Sequence, residues 1–152
     1  MPATSDATLI HNDYKYDNIV LDSAEITRIV GVLDWEMATI GDPLTDLGTT
    51  LAYWVDPQDP DELQKIHWSP STAVGSLTRA QLIDRYARTT GRDVSAMAFY
   101  LAFARFKVAV IVQQIYYRYH QGLTKDARFA SMQEVVRVLL RASLYTAETG
   151  SI

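Results

Sequence analysis

The stretch HNDYKYDN, residues 11–18, gathers a histidine, two aspartates, a lysine and two asparagines directly after the apolar pair Leu9-Ile10. The next sixteen residues give these polar groups a purpose. Residues 19–21 and 26–33 are rich in β-branched side chains and read as two short strands, with Asp22-Ser23-Ala24-Glu25 as the turn between them. In an antiparallel hairpin, the residue before the first strand and the residue after the second lie at the same end. Asn18 and Asp34 are therefore expected side by side, and Asp13 lies on the loop that feeds that end. Oxygen donors collect there: Asp13, Asn18, Asp34 and, with equal weight as a surface residue, Glu36. Hard oxygen ligands without cysteine suit Mg²⁺. Two metal-binding oxygens beside a separate carboxylate are the parts that phosphoryl transfer needs, the carboxylate orienting the attacking hydroxyl and taking its proton.

Outward from this core, residues 35–41 read as a loop. Asp42-Pro43 then opens a helix, with aspartate as cap and proline at the first position. Leu44, Leu47, Leu51 and Trp54 share one face of it. Residues 55–77 hold three of the five prolines and several Asp and Ser residues, a long irregular connection of the kind that serves as a lid. Thr78 with Gln81 forms a capping box for a helix to about residue 90, ended by Gly91. Residues 95–120 form a long helix closed by Gly122. Phe99, Phe103, Phe106, Val110 and Tyr117 lie on one side of it, and Leu101, Val108, Val112, Ile115 and Tyr119 on nearly the opposite side. Apolar on two sides, it is expected to be sandwiched in a bundle. The stripe Lys107, Gln114 and Arg118 reads first as a solvated face and second as the wall of a substrate cleft. A last helix covers about residues 127–148, with Phe129, Met132, Val136 and Leu139 turned inward. The fold class is α+β and mostly helical: a small antiparallel hairpin followed by a helical bundle, over residues 9–152, with residues 1–8 a disordered or truncated tail.

Composition narrows the function. The 152 residues carry a net charge of −4, which does not favour nucleic acid as a partner. There is no cysteine, which excludes disulfides and thiolate metal sites and fits a cytoplasmic protein. The N-terminus lacks the basic and apolar segments of a secretory signal. The most apolar run, residues 97–112, is interrupted by Arg105 and Lys107 and reads as a buried helix rather than a membrane span.

The pattern H-x-D-x-x-x-x-N, a hairpin, then L-D-W-E resembles the catalytic core of the aminoglycoside phosphotransferase and choline kinase group, which has the protein-kinase-like fold. HNDYKYDNIVLD, GVLDWEMATIGDPLTDLGTTLAYW and FARFKVAVIVQQIYYRYHQG are most similar to the branch related to the kinase-like domain of certain acyl-CoA dehydrogenase fusion proteins. The resemblance implies the C-terminal lobe of an ATP- and Mg²⁺-dependent phosphotransferase acting on a small-molecule hydroxyl. It implies Asp13 as catalytic base, Asn18 and Asp34 as metal ligands, and Lys15 reaching the transferred phosphate. His11 would brace the loop and Asp46 would anchor it from the following helix. Among acceptors, the branch tilts toward a hydroxyacyl compound. The acidic run Asp56, Asp59, Asp61 and Glu62 would suit a polycationic aminoglycoside, and reads equally well as a solvated loop.

Two other functions compete: a non-catalytic pseudokinase-like binding module, and a metal-dependent phosphohydrolase, which would want more histidines than His11. Family kinases carry a nucleotide-binding lobe before the catalytic motif. Here ten residues precede His11 and no G-x-G-x-x-G occurs. The expected partners are therefore a hydroxyl substrate and a nucleotide-binding lobe or a substitute for it, with a tendency to self-associate through uncovered surface. The 152-residue chain by itself is expected to be inactive or nearly so. An ADP-release assay on the purified chain checks this, and turnover at an ordinary kinase rate would refute it.

Overall fold

A computed structural model describes residues 6–66 and 68–152; the first five residues of the expected tail, and His67, lie outside them. Two two-stranded antiparallel ribbons come first. Strand β1 (Thr8–Ile10) pairs with β4 (Thr39–Gly41), in the register Leu9 opposite Ile40. Between them in sequence, β2 (Ile19–Leu21) pairs with β3 (Ile29–Val32), with Ile19 opposite Val32 and a bulge at Val20/Leu21. The expected hairpin is present. The expected loop over residues 35–41 is instead a 3₁₀ turn (Trp35–Met37) followed by β4. Three residues of strand carry too little pattern to reveal a partner thirty positions earlier. Gly41 matters to that pairing, since a Cβ there would sit 2.7 Å from Ile10 Cδ1.

Helix α1 (Pro43–Ala52) starts as its sequence dictates, with Asp42 accepting from the Leu44 amide at 2.8 Å and proline at the first turn. The connection after it contains one short helix, α2 (Asp61–Gln64). It is not a free acidic strap. Arg79 is only 4% exposed; it donates to Trp54 O at 2.8 Å and pairs with Asp59, while its backbone amide donates to Asp56. Glu62 accepts from Arg141. Three of the four acids in the run are thus engaged by protein cations or amides.

Thr78 and Gln81 form the capping box of α3 (Arg79–Thr90), and Gly91, at φ +71°, ends it in the left-handed conformation that glycine adopts without strain. Helix α4 (Met97–His120) is long and apolar enough to cross a membrane by length and composition; here it packs along α1 and α5 (Met132–Thr149). It links two core clusters. Leu44, Leu51, Ile83, Met97, Tyr100 and Leu101 make one, and Val108, Ala109, Val112, Val136 and Leu139 the other. The last helix begins later than residue 127, after a 3₁₀ turn over Ala127–Phe129.

The sandwich expected for α4 is corrected. Phe99, Phe103, Phe106, Val110 and Tyr117 remain between 39% and 57% exposed. Periodicity shows that a helix has two apolar sides, but not which of them a neighbour covers.

Helices α1 and α4 approach closely at Gly48 of α1, where a Cβ would lie 2.8 Å from Tyr100 O and 3.2 Å from Tyr100 Cβ. Gly48→Ala should therefore destabilise by about 1–3 kcal/mol, despite alanine's better helix propensity of about 1 kcal/mol. Urea denaturation read by circular dichroism checks the sign.

Candidate active site

The polar stretch after β1 is a tight loop held from three sides. Asp46, on the first turn of α1, accepts the His11 amide at 2.7 Å and the Asn12 amide at 2.6 Å. Asn12 takes φ +66°, a left-handed conformation that asparagine tolerates better than most residues. Its side chain donates to Met37 O at 3.0 Å. One turn further along α1, Thr50 Oγ1 donates to Tyr14 O at 2.7 Å. From α4, Lys107 Nζ donates to Asn12 O at 3.0 Å and to Thr49 Oγ1 at 2.9 Å. Lys107 is therefore not part of a solvated stripe. Burial lowers its pKa, opposed by the negative charges of Asp46 and Asp13.

His11 is only 3% exposed. Its Nδ1 accepts the Asp13 amide at 3.2 Å, so its Nε2, 2.7 Å from Leu33 O, carries the proton. Both ring nitrogens are committed to backbone, and the ring meets Trp35 edge-on at 4.7 Å. This ties the loop to the end of β3.

The side chains of Asp13, Lys15 and Asn18 converge. Asp13 Oδ2 accepts from Lys15 Nζ at 2.8 Å and from Asn18 Nδ2 at 3.0 Å. Asn18 Nδ2 also donates to Asp13 O at 2.8 Å, which turns the amide oxygen away from Asp13. Asn18 closes the 3₁₀ turn Tyr16–Asn18 and leads into β2, and its carbonyl accepts the Leu33 amide at 2.8 Å. That bond sets Asp34 at the same ribbon end as Asn18. Asp34 is exposed, in the left-handed conformation with φ 65°. Glu36 is exposed on the turn just beyond. Among the described residues no group of three or more His, Asp or Glu side chains forms a metal cluster.

Tyr53 and Trp68 complete the surroundings, and neither is marked by sequence motif. Tyr53 Oη donates to Asp13 Oδ1 at 3.1 Å. Burial first, then the Asp13 charge and this hydrogen bond, push the Tyr53 pKa up, so the phenol keeps its proton. Lys15 Nζ lies over the Tyr53 ring, 5.0 Å from its centre, and Trp68 packs against the ring at 5.8 Å. A sequence signal existed: Asp46, Thr50 and Tyr53 have i, i+4, i+7 spacing along one face of α1. Two clefts meet here, sharing Lys15, Tyr53 and Trp68. One, of about 630 Å³, runs between the loop, the hairpin, α1 and α3 with a largely apolar lining. The other, of about 420 Å³, runs toward Val108, Val112 and Met132.

A tightly held loop carrying a carboxylate, a lysine and an asparagine sits at the end of a hairpin beneath a helical bundle, the arrangement of a kinase-like phosphotransferase fold. The chain belongs to the phosphotransferase enzyme family, whose model matches residues 1–100. It is 35% identical over 142 residues to acyl-CoA dehydrogenase family member 11 of Homo sapiens, covering 92% of this chain and 18% of that protein. It is 32% identical to acyl-CoA dehydrogenase family member 10 of Mus musculus, covering 88% of this chain and 12% of that one. The fold is similar to the crystal structure of a putative aminoglycoside phosphotransferase from Ralstonia eutropha JMP134. The TM-score is 0.77 at 27% identity, covering 93% of this chain and 43% of that chain. The chain thus spans less than a fifth of these curated relatives and under half of the solved phosphotransferase.

The Asp46 contacts make a direct forecast. An asparagine at position 46 offers one acceptor oxygen where the carboxylate offers two. Asp46→Asn should cost about 1–3 kcal/mol, the scale of a buried donor left unsatisfied. Hydrogen exchange at the His11 or Asn12 amide should speed up with it, as read by NMR.

Proposed function

We propose that this chain is the catalytic lobe of an ATP- and Mg²⁺-dependent kinase that phosphorylates a hydroxyl group of a small molecule. The observation that carries the reading is the convergence of Lys15 and Asn18 on Asp13, with Lys15 lining both clefts. Asp13 is the general base: as the acceptor oxygen bonds to the terminal phosphorus of ATP and the bond to ADP breaks, the hydroxyl proton passes to its carboxylate. Lys15, beside that carboxylate, offers its ammonium to the transferred phosphoryl group.

The donor set fits magnesium. Asn18 would contribute an amide oxygen and Asp34 a carboxylate, both hard oxygens at one ribbon end and of the kind Mg²⁺ takes. Bound there, the ion would neutralise phosphate charge. His11 is not available as a ligand, because both of its nitrogens are spent on backbone. That weighs against a two-metal phosphohydrolase. The engagement of Asp56, Asp59 and Glu62 by protein groups weighs against a polycationic acceptor.

The test uses a protein that carries this chain together with a nucleotide-binding lobe, supplied with Mg²⁺-ATP and a panel of hydroxylated metabolites. ADP and a phosphorylated acceptor should form. Asp13→Asn should lower kcat by about 10²–10⁴-fold while circular dichroism stays unchanged. Near-normal turnover in that variant removes Asp13 from this role.

A further inference from the structure

Ser143 Oγ on α5 donates to Ala102 O on α4 at 2.7 Å, and this bond marks one edge of the seam between the two helices. Arg105 reaches Thr146, and Val112 and Val136 belong to one core cluster, so the pair runs antiparallel. On a helix, the residues three before, one after and four after a given position all turn to the same side of it. Phe99, Phe103 and Phe106 stand in these relations to Ala102, and Leu140 and Leu144 in the first two of them to Ser143. In antiparallel helices equal offsets fall on the same side of the pair. The five side chains therefore share one face, and Val110 extends it by a turn.

This face is open. Phe99, Phe103, Phe106 and Val110 are the exposed row of α4, and Leu140 and Leu144 are 41% and 59% exposed beside it. No charged residue lies among the six. On the adjoining turn of α5, Glu134 and Arg137 pair with each other, and Arg141 is turned away to Glu62 of α2. At about 150–250 Å² for a whole aromatic side chain and somewhat less for leucine or valine, the six leave on the order of 500 Å² uncovered in each chain. Scattered apolar residues need no partner, but a contiguous patch of that size marks a contact site.

The pattern of the face says what fits it. The α4 row has the four-three-four spacing of a seam that interlocks with a like seam on another helix. Two antiparallel helices with one bare apolar face are half of a four-helix bundle. A second copy supplies the other half with the same spacing, and an uncharged face meets itself without repulsion. A partner chosen by opposite charge would find nothing there to read. Two copies would bury about 1,000 Å² together, the size at which specific association begins.

We propose that the α4 and α5 face is a self-association surface: two copies pair about a two-fold axis, α4 and α5 of one against α4 and α5 of the other, and close a four-helix bundle. The surface is independent of the candidate active site. Neither cleft takes a lining residue from it, so pairing leaves both clefts open. It is also distinct from the ribbons, where Val30 and Ile40 are exposed.

Sedimentation equilibrium of the 152-residue chain from about 1 to 200 µM should show a monomer–dimer equilibrium with a micromolar Kd. Phe103→Glu, Phe106→Glu and Leu144→Glu should each weaken dimerisation by about 30-fold or more. Circular dichroism should not change, because none of the three belongs to either core cluster. Phe106→Ser repeats the measurement without a new charge, and should also weaken the dimer. Ile40→Glu, on the ribbon, should leave the Kd unchanged. A monomer at every concentration overturns the proposal and leaves the face to another occupant. A dimer that Ile40→Glu breaks and the α4 and α5 variants keep overturns it too, as does open-ended aggregation that those variants do not alter.

Discussion

The carboxylate of Asp46 is the constraint on which the site depends. It accepts two successive backbone amides, His11 at 2.7 Å and Asn12 at 2.6 Å, from a loop that offers them no strand or helix partner. A buried amide without a partner is costly, so the loop can be tight only where something replaces the missing ladder. Asp46 does so from the first turn of a helix whose own start is set by Asp42 and Pro43. Its position also brings a negative charge near Lys107, which burial would otherwise push toward neutrality. The ammonium in turn holds the Asn12 carbonyl. The left-handed backbone at Asn12, the helix start and the half-buried lysine thus support one another, and Asp13 inherits its direction from all three.

How much of this can be read from residues alone depends on the distance over which each interaction acts. The hairpin, the capped start of α1 and the capping box of α3 are local, and their signals lie within a few positions. The placement of Asn18 and Asp34 at one ribbon end is legible too, because a hairpin relates its two ends by simple geometry. Strand β4 is different: its partner β1 is far away and each contributes three residues, too few for alternation to show. Lys107 is further still, 95 positions from the carbonyl it holds. On a helical wheel it looks like one member of a polar stripe, and nothing local says that this stretch of the helix faces a loop. Tyr53 falls between these cases. Its spacing from Asp46 and Thr50 is visible, but only knowledge that this face of α1 meets the loop gives the spacing meaning.

The exposed side of α4 illustrates the same limit from the apolar direction. Phe99, Phe103, Phe106 and Val110 recur at spacings of four, three and four, the pattern of a packed helical seam. That side stays 39% to 50% exposed, while the opposite side packs on α1 and α5. Sequence periodicity records what a helix is built to bury. Only the arrangement of the other elements decides what it does bury.

The heavy restraint on the Asp13 carboxylate bears on its proposed role as general base. A freely rotating aspartate on a loop would expose both oxygens to water and to Lys15, and its proton-accepting lone pair would point at an acceptor only part of the time. Proximity contributes to rate only when the reacting atoms are held close to the productive geometry. Here Oδ2 is spent on Lys15 and Asn18, the side that leads to the Asn18 and Asp34 ribbon end. Oδ1 accepts from Tyr53, whose side chain borders both clefts. The two oxygens of one planar group are thereby held by different elements, Oδ2 from the loop and Oδ1 from the end of α1.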